Sequence, residues 1–197
     1  MATKGLSYFV AGAYTYSQGA VTYSDGRVLA KAVSYTVSLD EPTRNDFYAD
    51  NAVAESDNQV FNGGNISLDP AQISPENKAW LLGQTARSVT VGTNTTVDVY
   101  DYDDNMEPPY VGFGMIEMLQ VDNVDKFQAI ILVRAKTRIP ANTATTKGET
   151  INWQTHPITA DIYRDETTAH RWMSESEYFD SEADAKAYLN SVFGISA

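Results

Sequence analysis

Few residues in this chain could do chemistry, and their spacing decides how each is read. Two histidines occur, His156 before Pro157 and His170 in the polar stretch RDETTAHRW. A histidine metal centre needs a second His or Cys at ligand spacing; neither has one, and both read as surface histidines. Asp101-Tyr102-Asp103-Asp104-Asn105 has the alternating oxygens of a calcium loop. An EF-hand would then need Gly at the sixth position and Glu at the twelfth; these are Met106 and Gly112, so the stretch reads as a solvated acidic loop. Glu175 and Glu177 would share one face of a strand, but nothing apolar surrounds them to push their pKa values apart for acid–base work. No Gly-rich phosphate loop or G-x-S-x-G elbow is present, and no cysteine, which excludes thiolate nucleophiles, thiolate metal sites and disulfides. The expectation is a protein that is not an enzyme and uses no cofactor. One further cluster stands out: Arg134, Lys136 and Arg138 alternate along one side of a strand, a basic stripe on an acidic chain. Their partners are either acids of the same fold or acids of a neighbouring copy.

The element that positions the stripe is Tyr110–Pro140, around which the chain is organised. YVGFGMIEMLQV and KFQAIILVRAKTRIP flank a polar break, the mark of an antiparallel hairpin. With a turn at Asp122–Asp125, Val121 faces Lys126, and alternation puts Ile116, Met118, Phe127, Ala129, Ile131, Val133 and Ala135 on one dry face. Gly112 and Gly114 fall on that face, where missing side chains let another element approach. The opposite face, from Val111 and Phe113 to Leu132, Arg134 and Lys136, is mixed. A slip of one residue on either strand would exchange its faces.

Before this hairpin, Leu6–Tyr16 and Val21–Tyr23 read as strands, Ser24-Asp25-Gly26 as a turn, and Val28–Leu39 as a further strand. Phe47–Glu55 is weakly β-like, and Asn62-Gly63-Gly64 is a turn before a strand at Ile66–Leu68. Ser74-Pro75-Glu76 starts a short helix that Gly83 stops; it must dock Trp80 and Leu82 on a sheet. Ala86–Pro109 reads mostly as loop, with one strand at Thr96–Tyr102. Beyond the hairpin, a Thr-rich loop at Ala141–Thr150 precedes strands at Thr150–Thr155 and Ile158–Tyr163 and an edge strand at Arg171–Phe179. Ser181–Phe193 is a capped helix with Ala185, Tyr188, Leu189 and Val192 on one stripe. The sum is mainly β: antiparallel sheets in one domain over 1–197, flanked by one or two short α-helices. Trp80, Phe127, Ile131, Val133 and Trp153 are the candidate core.

The 197 residues suffice for one sizeable core. No run approaches the roughly 20 apolar residues of a membrane span, and the N-terminus is too short in its apolar part for a secretory signal. The absence of cysteine fits a reducing compartment. With 26 acidic against 14 basic residues the net charge is −12, which repels phosphate backbones and argues against tight nucleic-acid binding.

The order of several motifs resembles that of the major tail proteins, or tail-tube proteins, of long-tailed siphovirus-type bacteriophages. The matching pieces are Phe47-Tyr48-Ala49-Asp50-Asn51; Gly63-Gly64-Asn65-Ile66-Ser67-Leu68 leading into the Ser74–Gly83 helix; Pro108-Pro109-Tyr110-Val111-Gly112-Phe113-Gly114; and Thr146-Lys147-Gly148-Glu149-Thr150-Ile151-Asn152-Trp153-Gln154-Thr155. They span nearly the whole chain. The resemblance implies a β-sandwich or flattened barrel, six copies of which close into a ring, with rings stacked as a tube through which the genome leaves. It implies a long loop between two lumen strands that reaches the next ring, for which Asp40–Gly64 is the candidate. Asp46, Asp50 and Glu55 of that loop then join Arg134, Lys136 and Arg138 as candidate subunit-interface residues. The implied partners are further copies, the tape-measure, terminator and distal tail proteins, and DNA in passage; the implied location is the virion, after synthesis in the bacterial cytoplasm. Two alternatives stay open: a carbohydrate- or surface-binding β-sandwich, suggested by twelve tyrosines, and the tube of a contractile tail or secretion system.

Overall fold

The computed structural model describes residues 2–58, 60–141, 146 and 155–196. The strand expected at Thr150–Thr155 and the candidate core residue Trp153 lie outside the described residues.

The organising hairpin is formed by β9 (Tyr110–Val121) and β10 (Val124–Thr137). Its turn has two residues, not four. Asp122 and Asn123 both take left-handed backbone, φ 50° and 64°, as a type I′ turn demands, and Val121 pairs with Val124. The register moves by two residues from the sequence reading, so the side chains keep their faces up to Leu132. Between Leu132 and Ala135 the ladder shifts. The extra residue of this bulge turns Ala135 to the opposite face, a correction that period-two reasoning cannot anticipate. The face read as mixed is also corrected: Val111, Phe113, Met115, Ile130, Leu132 and Ala135 belong to the larger core.

Around the hairpin runs an eight-stranded antiparallel sheet. β1 (Ala2–Ser17) and β2 (Ala20–Ala30) extend it beyond β9, while β11 (Ile158–Tyr163), β6 (Gly64–Pro70) and β3 (Ala32–Leu39) extend it beyond β10. β12 (Met173–Glu175) pairs further along the same side of β10 as β11. The two ends of the path, β2 and β3, are consecutive in the chain, separated by Lys31 alone. One bent strand thus leaves β1 and joins β6, and the sheet curls around the larger core without closing as a barrel. Ser24-Asp25-Gly26, expected as a turn, lies inside β2. The ladder with β1 slips beside it and Asp25 has φ 51°, so it is an irregularity within a continuing strand.

α1 (Pro75–Leu82) begins at the Ser74 cap, whose hydroxyl accepts from Asn77 N, and ends at Gly83 in left-handed conformation. Leu81 reaches the core, whereas Trp80 is only half-buried against it, with the Arg27 guanidinium 5.0 Å above its ring. α2 (Glu182–Phe193) covers the outer face of β1, β9 and β10. Ala185, Leu189 and Phe193 pack there on Val10, Ile116, Ala129 and Ile131, with Phe127 half-buried beside them. Tyr188, expected on the buried stripe, is 38% exposed; Phe193 takes the deep position. The glycines of β9 allow this approach: a Cβ on Gly114 would sit 2.6 Å from the Phe193 ring. A bulge at Ser7–Val10 re-aims β1, so that Tyr8 donates to Asn190 at 2.6 Å and Ser7 to Glu182 at 2.7 Å.

Two excursions leave this body. The stretch expected as a long loop at 40–64 is largely an ordered hairpin, β4 (Arg44–Ala49) and β5 (Ala52–Asn58), with Asp50 and Asn51 in its tight turn at φ 51° and 63°. The stretch expected as mostly loop at 86–109 contains a second hairpin, β7 (Thr85–Val91) and β8 (Thr95–Asp101). Each forms a separate two-stranded sheet.

Candidate assembly surface

Among the described residues the main path of the sheet is paired everywhere except at its ends, and β12, off that path, pairs with β10 alone. β9, β10, β11 and β6 are paired on both sides, whereas β2 pairs only with β1 and β3 only with β6. Exposed backbone donors and acceptors on such an edge are a template for another strand. Val28, Val33 and Leu39, on β2 and β3, are 45%, 54% and 47% exposed, so apolar side chains accompany the open edges.

The acids concentrate on the excursions. Residues 40–58 hold six acids against one arginine, and residues 85–107 hold five against one, together nine of the twelve net negative charges. In the first ribbon Asp46 accepts from Ser56 and from Arg44 Nε (2.7 Å), bonds that hold its carboxyl below the usual range. Asp50 sits at the turn and Glu55 lies opposite Phe47, both exposed. Asp103 closes a turn by accepting from Asn105 N at 2.8 Å, so the calcium-like stretch is a local turn at the foot of the second ribbon.

The basic stripe is divided. Arg134 lies inside its own fold: its guanidinium sits 4.1 Å from the Tyr110 ring centroid and 5.2 Å from that of Tyr14, and contacts Glu166 at 3.0 Å. Arg138 forks onto Asp161, with Nε 3.0 Å from Oδ2, and that carboxylate holds the guanidinium above its usual pKa. Lys136 has the Tyr110 face at 5.3 Å and no acid partner among the described residues. Intramolecular partners therefore account for two members of the stripe, leaving Lys136 available to a neighbour.

Asp165 was not singled out by sequence reasoning, yet it is the buried carboxylate of the body. It accepts from Thr167 N and Oγ1 (3.2 and 2.7 Å) and from Arg171 N and Nε (both 2.9 Å). Burial pushes its pKa up, but these hydrogen bonds and the Arg171 charge prevail and hold it below the usual range. Its position explains the polar stretch around His170, which is a loop tied to one carboxylate; the Asp-x-Thr spacing was the available signal. Tyr35 donates to Glu117 at 2.5 Å, and burial followed by that bond raises the phenol's pKa.

Among the described residues no three His, Cys, Asp or Glu converge as a metal site. A hollow of about 300 Å³ beside α1 is lined by Ile73, Leu81, Leu82, Thr137 and Ile158, with His156 among its lining residues and no acid among the described ones. Glu175 and Glu177 are both exposed, and β12 ends at Glu175, so they do not form a strand-borne pair. Phe47 and Tyr48, each 64% exposed, are consecutive on β4, and the ladder with β5 shifts between them. No protein-family model matches the chain, and no curated protein matches it.

Proposed function

We propose that this chain is a structural, non-enzymatic subunit that assembles with copies of itself into rings stacked as a phage tail tube, the conduit for genome ejection. The observation that carries the reading is the open sheet: among the described residues both end strands, β2 and β3, are unpaired along one side of a body with a sizeable core. Copies that complete one another's edges remove an aggregation hazard, and six such copies can enclose a bore. The motif order described above supports the same family. The β4–β5 ribbon suits the contact with the next ring, because it projects from the strands next to the open edge and carries acid that the body does not neutralise. A subunit of net charge −12 offers DNA few phosphate contacts, so the genome passes without being held. Tape-measure, terminator and distal tail proteins are the proposed further partners, and the virion the location. Contractile-tail and secretion tubes share this assembly logic.

The experiment is negative-stain microscopy with sedimentation velocity on the purified protein over a range of concentrations. Rings or hollow tubes are expected. A compact monomer under every condition overturns the reading.

A further inference from the structure

A shallow hollow of about 440 Å³ opens where β11 ends, beside the segment that returns from the β4–β5 ribbon to β6. Phe61, Asn62, Tyr163 and two arginines, Arg134 and Arg164, line it. No acid is among the lining residues, in a chain where acids outnumber bases 26 to 14.

Neither guanidinium is fully used. Arg134 Nη1 contacts Glu166, but its Nε is buried with no acceptor among the described residues, a costly state for an N–H. Arg164 donates through Nη2 to Phe61 O and lies 5.5 Å from the Phe61 ring centroid. That carbonyl is neutral, and among the described residues no carboxylate pairs with Arg164. The Phe61 ring is itself stacked on Trp172 at 5.0 Å, so the Arg164 head is held in place before any ligand arrives. The remaining donors of a guanidinium form a planar fork, which matches the two oxygens of a carboxylate.

The chain carries the fitting group. Asp46 of the β4–β5 ribbon is taken by Arg44, but Asp50 is exposed and no cation pairs with it among the described residues. Asp50 also stands at the two-residue turn, the narrow tip of the ribbon, and a tip is what a small hollow admits. We propose that the Arg134–Arg164 hollow is a carboxylate site, and that in the assembly it takes Asp50 from the ribbon of a second copy. The inference rests on the self-assembly reading. It joins two different surfaces of the same chain, a heterologous contact that closes a ring or continues from copy to copy.

Arg164→Lys keeps the charge and supplies an amine that a carbodiimide joins to a touching carboxylate. Unlabelled and heavy-isotope-labelled copies of this variant are mixed, assembled and treated, and the linked peptides are read by mass. A link between position 164 of one label and Asp50 of the other is expected. Arg164→Gln and Asp50→Asn, which keeps the turn, are each expected to raise the concentration needed for assembly about tenfold, and the double variant by no more than either. Circular dichroism confirms that each variant folds. If the wild type assembles but position 164 links only within one label, to another acid or to none, this contact is overturned and the tube reading stands. A double variant that loses the product of the two single effects, about a hundredfold, overturns it as well. A wild type that never assembles overturns both.

Discussion

The curled body and the two ribbons are made of the same antiparallel strands, but they differ in what those strands bury. In the body, Phe9, Phe113, Leu132 and Ile66 are sealed within the curled sheet, and Phe193 is sealed beneath α2. In the ribbons, Phe47, Tyr48, Val53, Val91 and Val97 remain exposed, and the ribbons together with their flanking loops hold most of the chain's excess negative charge. A hydrophobic core holds the body without help. Among the described residues nothing does the same for the ribbons. The contrast teaches where the chain is complete and where it waits for another molecule.

Substitutions can break this contrast or sharpen it. The largest expected effect is in the body: Phe113→Ala should cost about 3–5 kcal/mol in urea unfolding, because the site is fully enclosed. Asp165→Ala should cost about 2–4 kcal/mol, since it strands four donors and the Arg171 charge. The pH dependence of the wild type has a definite sign. Asp165 has a lowered folded-state pKa, so its contribution is complete above the unfolded value, about 3.9, and is lost as pH falls through the folded value. An acid titration should show Asp165→Ala losing less stability than the wild type below that point. Gly114→Ala should cost about 1–3 kcal/mol by pressing α2 away from β9, read as a lower unfolding midpoint. Lys136→Glu should cost at most about 1 kcal/mol, the value of its aromatic contact, while impairing assembly visibly. Smallest on folding is removal of Glu41–Asn58, which should leave the monomer's unfolding midpoint in place yet stop ring stacking. Tubes of normal length from that deletion would assign the ribbon another role.

Legibility in the sequence followed the same division. Ser74, Pro75 and Gly83 announced α1, and Ser181 with Gly194 announced α2, because caps are local chemistry. The long hairpin was visible because two apolar runs flank the polar break at Asp122–Asp125. The bulge after Leu132 was invisible, since one inserted residue leaves no mark on an alternating pattern. β7 was missed because Thr85, Arg87 and Ser88 dilute the alternation of a ribbon with no core side. Of the pair expected to dock α1, Leu82 is buried and Trp80 only half-buried, while Leu81 reaches the core; the helix phase decides which neighbours face the sheet. The Asp165 cluster depends on Arg171 returning to it, a tertiary fact that spacing only hints at.

Amide hydrogen exchange on dilute and assembled protein tests the central claim most directly. The account predicts slow exchange in β9 and β10 in both states, with β3, β4–β5 and β7–β8 exchanging fast in the dilute subunit and becoming protected on assembly. Ribbon and edge amides already protected in the dilute subunit, or unchanged after assembly, would contradict it.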